Sequence, residues 1–213
     1  MKRFFAILTV LLMLALTFTG CGQKTDENTV TVQEGKFILG LDDSFPPMGY
    51  TDENGDIVGF DIDIAKEVCA KLGYELVLQP INWNSKEVEL NGGAVDCLWN
   101  GFSINEKRKE SMNLSIPYMK NTQAVVVLAD SDIKTLADLS GKIVGVQAGS
   151  TAMDAIDANP EVKESFGELI EIDDNMMAIQ ELKNGTIDAL VADDGSGAGL
   201  VAGLGALNAL DGS

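Results

Sequence analysis

The sequence contains no histidine and only three cysteines. Without histidine, the chain can hold neither a His-dependent catalytic triad nor a zinc site with histidine ligands. Three cysteines are too few to build a disulfide scaffold. Basic residues are also scarce, because 15 Lys and Arg face 33 Asp and Glu, for a net charge of −18. So acidic a chain repels phosphate groups, which disfavours non-specific binding to DNA or RNA.

The remaining composition is typical of a globular protein. Hydrophobic residues make up 46% of the 213 residues and charged residues 23%, which argues against long disordered stretches. The length has room for one large domain or two small ones, at ~100–200 residues each.

The N-terminus has the features of a secretory signal peptide, which we predict over residues 1–20. Lys2 and Arg3 precede residues 4–16, which are apolar except for Thr9. This run is shorter than the ~20 residues that cross the ~30 Å hydrocarbon core of a membrane. A non-cleaved membrane anchor is the alternative interpretation.

The segment that follows (TGCG, residues 19–22) resembles the lipobox of bacterial lipoproteins, although Phe18 stands where that motif usually has leucine. The resemblance implies that Cys21 is lipidated, with palmitate among its acyl chains, and becomes the mature N-terminus. Residues 21–35 are polar and aperiodic, which is typical of a tether. We therefore expect an exported protein, lipid-anchored on the extracellular face of the cell membrane, and not an enzyme of cytoplasmic metabolism.

Strand-like and helix-like segments alternate along the mature chain, which predicts an α/β fold with a mostly parallel sheet. The first run comprises strands at 36–41, 75–78 and 95–99, with helices from about 61 to 72 and at 86–90. The rhythm restarts with strands at 123–128, 142–146, 169–172 and 187–191, and with helices at about 151–158 and 175–183. Two successive units predict two lobes, residues 36–124 and 125–194, with a cleft between them.

Four polar residues stand where predicted strands end, namely Asp42, Asn100, Gln147 and Asp193. Ligands of open α/β sheets bind beyond the carboxyl ends of the strands. We therefore expect these four residues to lie at the cleft.

Two cysteines lie in the predicted lobes, Cys69 on the apolar face of a helix and Cys97 in a strand. We interpret both as buried thiols, with a disulfide between them as the alternative in an exported protein. No metal-ligand spacing links them, and we expect neither a metal nor a cofactor.

Three segments carry a resemblance to a known family: residues 58–64 (VGFDIDI), 100–108 (NGFSINEKR) and 145–151 (GVQAGST). In the same order, they are similar to the bacterial extracellular solute-binding proteins for polar amino acids, and the likeness runs from about residue 36 to 194. The resemblance implies a two-lobed, type II periplasmic-binding-protein-like fold. It also implies a monomeric, non-enzymatic receptor that closes around a free amino acid and delivers it to the permease of an ATP-driven (ABC) importer.

The resemblance also implies how the ligand backbone is held. In the family, the arginine at the position of Arg108 grips the α-carboxylate of the ligand, for which a guanidinium offers a matched fork of donors. Ser103 and the backbone around Asn100 and Gly101 match positions that contact both ends of the ligand backbone. The glycine would permit close approach of the main chain.

Three further matches concern the second lobe and the ligand ammonium. Ser150 and Thr151 match the position that caps the carboxylate at a helix start, with an ordinary helix N-cap as the alternative role. Asp193 matches the carboxylate that pairs with the ammonium, and Asp42 contributes from the first lobe. Because Asp42 stands beside Asp43, we expect one of these two aspartates to be merely solvated.

The last matches concern the ligand side chain. Phe45 and Trp83 match aromatic positions that enclose it, with burial in the core as the alternative. Gln147 lies at a position where selectivity for the side chain is often set.

Two other functions are compatible with the same fold. One is an enzyme, either dehydratase-like or a lytic transglycosylase with an added domain that this sequence does not show. The other is a ligand-sensing module, which would normally continue into a transmembrane helix and a kinase.

The likeness ends after Asp194, where residues 195–213 form a tail with six glycines and no basic residue. The family continues for some dozens of residues, so the resemblance implies that the C-terminal return segment is lacking, as in a fragment or a truncated gene. A natural short form is the alternative. We expect the tail to be poorly ordered, because glycine-rich sequence does not recover the ~1–2 kcal/mol per residue that ordering a backbone costs.

Overall fold

The computed structural model describes residues 35–194 and a strand at residues 204–207. The strands are β1 (Lys36–Leu41), β2 (Ser44–Phe45), β3 (Gly49–Thr51), β4 (Ile57–Val58), β5 (Glu75–Pro80), β6 (Cys97–Leu98), β7 (Gln123–Leu128), β8 (Ile143–Gln147), β9 (Glu168–Ile172), β10 (Ala189–Asp193) and β11 (Leu204–Leu207). The helices are α1 (Phe60–Leu72), α2 (Lys86–Asn91), α3 (Glu106–Ser111), α4 (Thr151–Asp157), α5 (Pro160–Ser165) and α6 (Asn175–Asn184). The predicted signal peptide, Cys21 and nearly all of the tether lie outside the described residues.

The first half of the described chain, residues 35–122, contains two small sheets. In one of them β1 lies between β5 and β6, all parallel, with Leu39 opposite Leu78. The other is the antiparallel sheet β2-β3-β4. The fully buried Leu39 and Leu41 pack with Ile62 of α1, so the helix covers one face of the parallel sheet.

The second half, residues 123–194 together with β11, is built on one five-stranded sheet in the order β11-β7-β10-β8-β9. β8, β9 and β10 are parallel, and β7 runs antiparallel to β10. Side chains alternate between the faces of this sheet: Val125 packs in a cluster with Ile156 of α4, and Val126 in a cluster with Leu182 of α6. Helices therefore cover both faces of the sheet.

Most of the predicted elements are present, with their bounds shifted by a few residues. β7 has its predicted bounds, and α1 ends where expected, at Gly73, whose φ of 78° is left-handed. The predicted strand at 95–99 is reduced to Cys97–Leu98. The sheet β2-β3-β4 and helices α3 and α5 were not predicted, because such short elements leave no hydrophobic period long enough to read.

The tail departs from the expectation of poor order at four positions. Leu204–Leu207 forms β11, an edge strand that pairs antiparallel with β7, with Leu204 opposite Leu128 and Leu207 opposite Val125. The prediction failed here because it counted the entropy of a glycine-rich chain and not the hydrogen bonds that the open edge of β7 offers. The other tail residues lie outside the description.

Cys69 and Cys97 are both free thiols, the first buried and the second partly buried. Burial raises the pKa of Cys97 to about 12, so this thiol stays protonated at neutral pH. Both cysteines are therefore thiols and not a disulfide, as the first interpretation held, but only Cys69 is fully buried. None of the helices in the described part of the chain is long and apolar enough to span a membrane.

Candidate functional site

A narrow cleft lies between the two halves of the described chain. Its walls are made by the eleven residues that the sequence analysis assigned to ligand binding: Asp42, Phe45, Trp83, Asn100, Gly101, Ser103, Arg108, Gln147, Ser150, Thr151 and Asp193. Seven of them come from the first half and four from the second. The strands and loops of both halves therefore supply one common surface.

Arg108 is held rigidly in the wall of this cleft. It lies in α3, whose N-cap residue Asn105 accepts a hydrogen bond from the Arg108 N–H at 2.8 Å. The Arg108 Nη1 donates to the carbonyl of Ser103 at 2.7 Å, and the guanidinium stacks 3.9 Å from the centroid of the Phe102 ring. Burial lowers the pKa of Arg108, and the charge of nearby Asp154 opposes that shift. The remaining donors of a fixed, planar cation suit a carboxylate.

Asp193 brings the opposite charge to the same cleft. It is the last residue of β10, and its Oδ1 accepts hydrogen bonds from Gln123 Nε2 at 2.6 Å and from Ser103 Oγ at 3.5 Å. Asn121 Nδ2 donates to the same oxygen. Burial raises the pKa of Asp193, while the bonds from Asn121 and Gln123 and the charge on Arg108 act in the other direction. The site thus has a buried donor cation and a hydrogen-bonded carboxylate on either side of Ser103.

Asp42 is the second carboxylate of the cleft, and it is buried, with only 6% of its surface exposed. Its Oδ1 accepts from Ser44 Oγ at 2.6 Å, and its Oδ2 accepts from Gln147 Nε2 of the other half at 2.5 Å. The Gln147 Oε1 in turn accepts from Asn175 Nδ2 at 2.9 Å. Burial raises the pKa of Asp42, which its hydrogen bonds partly offset. Asp43 does not line the cleft, as expected for one of the two neighbouring aspartates.

Gly101 occupies a position that requires glycine. Its φ is +57°, and a Cβ added there would lie 2.8 Å from Cε1 of Phe45. Its N–H donates to Asp61 Oδ2 at 2.6 Å, which ties the loop after β6 to the start of α1. Asp61 belongs to the VGFDIDI segment, so that motif supports the cleft from behind.

The aromatic wall of the cleft is formed by two buried rings, Phe45 and Trp83, with exposed fractions of 5% and 7%. Trp83 meets Phe102 edge to face, with their centroids 5.8 Å apart. Phe102 carries the guanidinium of Arg108 on its own face. Phe102 therefore contacts both Trp83 and the guanidinium of Arg108.

Ser150 does not cap a helix through its side chain, contrary to the alternative role considered for it. It occupies the N-cap position of α4, but its Oγ donates to the carbonyl of Gln147 at 2.8 Å. Thr151, the first residue of α4, accepts a hydrogen bond from Gln123 Nε2 at 3.2 Å. The Ser150 hydroxyl therefore accepts no hydrogen bond from the backbone N–H groups at the start of α4.

Sequence reasoning missed four side chains that shape the cleft from behind: Phe102, Asn121, Gln123 and Asn175. Asn175 follows the end of β9 and begins α6, so the rule that found Gln147 could have found it as well. Asn121 and Gln123 lie where the chain passes from the first half to the second, and no motif marks them. Among residues 35–194, no group of three or more acidic or cysteine side chains could hold a metal ion.

Two sheet-centred halves that share one polar, partly aromatic cleft define a protein that binds a small zwitterionic ligand between them. Comparison with known proteins agrees with that class. A family model for bacterial extracellular solute-binding proteins, family 3, matches residues 37–193. The chain belongs to this family, and the resemblance found in its three sequence motifs is confirmed.

Individual relatives show the same likeness. The arginine-binding extracellular protein ArtP of Bacillus subtilis is 31% identical over 196 residues, which are 91% of this chain and 74% of ArtP. The L-cystine-binding protein TcyJ of Escherichia coli is 29% identical over 163 residues, 76% of this chain and 60% of TcyJ. A crystal structure of an ABC uptake transporter substrate-binding protein from Streptococcus pneumoniae with bound histidine aligns with a TM-score of 0.78 and 35% identity, over 83% of this chain and 75% of that one.

These matches confirm the type II periplasmic-binding-protein fold. They also bear on the enzyme alternative that the sequence left open. The family and the relatives are solute-binding proteins, so the enzyme alternative receives no support.

Proposed function

We propose that this chain is an amino-acid receptor of an ATP-driven importer, and that its ligand carries a cationic side chain. The observation that carries the proposal is the pairing of Arg108 and Asp193 in one cleft, with Ser103 bonded to both. A free amino acid presents a carboxylate and an ammonium on the same carbon. Arg108 matches the first group in charge and geometry, and Asp193 matches the second.

The preference for a cation rests on the other end of the cleft. There Asp42 is buried in the cleft that Phe45 and Trp83 also line, with the Asp174 carboxylate close enough to raise the pKa of Asp42 further. A buried carboxylate gains most from an opposite charge, and aromatic faces attract cations as well. ArtP is named as arginine-binding and the Streptococcus pneumoniae structure holds histidine, which supports the same ligand class here.

Closure of the two halves around the ligand is the mechanism that we infer. Residues from both halves line the cleft, so a ligand that contacts both walls favours the state in which they are close together. An importer permease would then recognise the closed state. No covalent step is needed.

A thermal-shift screen of the twenty amino acids plus cystine tests the proposal. Arginine, lysine or histidine should raise the melting temperature, because a ligand bound only by the folded chain stabilises it by RT ln(1 + [L]/Kd). In Asp42→Asn the preference for the cationic ligand should be lost, and in Asp193→Asn every amino acid should lose its effect. A screen in which no amino acid stabilises the chain would refute the proposal.

We further propose that the protein is lipid-anchored through Cys21. The support is the basic, apolar and lipobox-like order of residues 1–22, together with membership of a family of extracellular proteins. Cys21→Ala should release the protein from the membrane fraction or leave it unprocessed. Unchanged membrane fractionation and unchanged mature size in this variant would rule the anchor out.

A further inference from the structure

Lys86 is a buried lysine that does not line the ligand cleft. It is the first residue of α2, directly after the turn that carries Trp83, and only 4% of its surface is exposed. Burying an ammonium is costly unless its charge and its donors are satisfied. The contacts of its Nζ therefore need an explanation.

The Nζ of Lys86 bonds to both walls of the cleft. It donates to the carbonyl of Gly149 in the second half at 2.7 Å, and to the carbonyl of Trp83 in the first half at 3.0 Å. Gly149 immediately precedes Ser150 and Thr151, which line the cleft. One ammonium group thus joins the two wall segments behind the ligand site.

The backbone at Gly149 is shaped to allow this approach. Its φ is +69°, and a Cβ added there would lie 3.2 Å from Lys86 Nζ and 3.0 Å from Asn84 Oδ1. Both contacts are tighter than ordinary van der Waals distances. Glycine is therefore the residue that lets the second half come this close to the turn at 83–85.

The charge state of Lys86 is compatible with the bridge at neutral pH. Burial, reinforced by the positive charge of Arg108, lowers the pKa of Lys86 to about 8. Most of the group is still protonated at pH 7 and has three donors. An apolar side chain would fill the same space at a lower desolvation cost, so what the ammonium adds is the pair of hydrogen bonds.

A second contact between the halves lies nearby, but it is weaker. Asn105 Nδ2 donates to Asp154 Oδ2 of α4 at 2.9 Å, in an exposed position where water competes for both groups. The bond from Lys86 to Gly149 is better shielded from water than this exposed contact, as is the buried bond from Gln147 to Asp42.

We propose that Lys86 is a positioning residue that stabilises the closed state of the two halves and slows the release of ligand without touching it. The inference rests on the proposed function, because a role in closure presupposes a ligand that enters and leaves. Its direct consequence is kinetic. Once the bridge to Gly149 is broken, opening becomes easier while the encounter with ligand stays the same.

The test replaces Lys86 by methionine, which keeps the length and packing of the side chain but removes its donors. The dissociation rate of arginine, followed by Trp fluorescence in stopped flow, should rise about tenfold, as expected for a lost hydrogen bond to a charged group. The association rate should change less than twofold. Lys66→Met serves as the matched control, because Lys66 is an exposed residue of α1 and the substitution removes the same charge.

A second arm needs no ligand and separates this inference from the proposed function. Small-angle scattering of the ligand-free Lys86→Met variant should give a larger radius of gyration than the wild type and the Lys66→Met control. Its melting temperature should not fall, because an apolar side chain replaces a buried charge. If no amino acid binds even the wild type, the proposed function fails while this arm still tests the bridge.

Three results would overturn the inference. They are unchanged dissociation and scattering in Lys86→Met, an effect confined to the association rate, and a large fall in melting temperature that accounts for the loss of binding. The last would assign Lys86 to folding and not to closure.

Discussion

At the scale of single residues, the site depends on one cation whose position is fixed by neighbours on three sides. Arg108 is stacked on Phe102, bonded to the carbonyl of Ser103 and held at its own N–H by Asn105. None of these contacts is an ion pair with a carboxylate. The positive charge therefore stays available for the ligand carboxylate in our proposal.

Replacing this arginine measures its share of the binding energy. Arg108→Ala should weaken amino-acid binding at least tenfold, because a charge-assisted hydrogen bond contributes ~1.5–3 kcal/mol and 1.4 kcal/mol is about tenfold. Calorimetry gives the dissociation constant. Lys109→Ala is the matched control, since Lys109 is exposed in the same helix and pairs with Glu106. A dissociation constant that is the same in both variants would remove Arg108 from the site.

The two carboxylates of the cleft, Asp42 and Asp193, predict how affinity depends on pH. Burial raises the pKa of Asp193 and of Asp42 in the ligand-free protein, whereas a bound cation would lower both. Binding therefore releases protons once the pH approaches these raised values, and affinity for arginine should fall as the pH falls from neutral. The slope of log Kd against pH should be shallower in Asp42→Asn, which has one such carboxylate fewer. An affinity that does not change on acidification would contradict this assignment.

The residues that line the cleft were largely predictable from the sequence, but the neighbouring side chains that hold them in place were not. A motif indicated Arg108 and the end of a predicted strand indicated Asp193. The roles of Asn121 and Gln123, in contrast, depend on which strand lies beside β10. That neighbour is β7, antiparallel and distant in sequence, and no local pattern encodes the pairing.

At the scale of elements, the least expected feature is β11. Without β11, its partner β7 would be the edge of a four-stranded sheet, with its backbone groups exposed along one side. Pairing covers that edge from Val125 to Leu128. A short tail segment thus protects the strand that enters the second half.

Two proline substitutions test this pairing. In an edge strand, alternate N–H groups point toward the partner, so only one of Gly205→Pro and Ala206→Pro should remove a bond to β7. That variant should speed hydrogen exchange in β7, and the other should do so much less. Equal exchange in both variants and the wild type would show that the segment does not pair, and the original expectation of an unordered tail would stand.

Elements with a clear period were found from the sequence, and those without one were not. α1 carries three buried residues at helical spacing and a glycine stop, and it was predicted almost to the residue. α3 has six residues, of which only Arg108 is buried. Its charged sequence therefore shows no hydrophobic period from which a helix could be predicted. Its existence depends on the Asn105 cap and on the site it serves.

At the scale of the whole molecule, net charge and ligand preference point the same way. A chain with a net charge of −18 produces a negative potential that attracts cations and repels anions. Asp42 and Asp193 add two carboxylates inside the cleft itself. Long-range attraction and local pairing would both favour a cationic amino acid over an acidic one.

The central claim is that the cleft between the two halves binds a free amino acid with a cationic side chain. Calorimetric titration of the chain with L-arginine and with L-citrulline tests it most directly, because citrulline has nearly the same shape without the charge. We predict that arginine binds at least tenfold more tightly than citrulline, which is the loss expected when a charged partner of Asp42 becomes neutral. Equal affinity for the two ligands, or no heat of binding with either, would contradict the account.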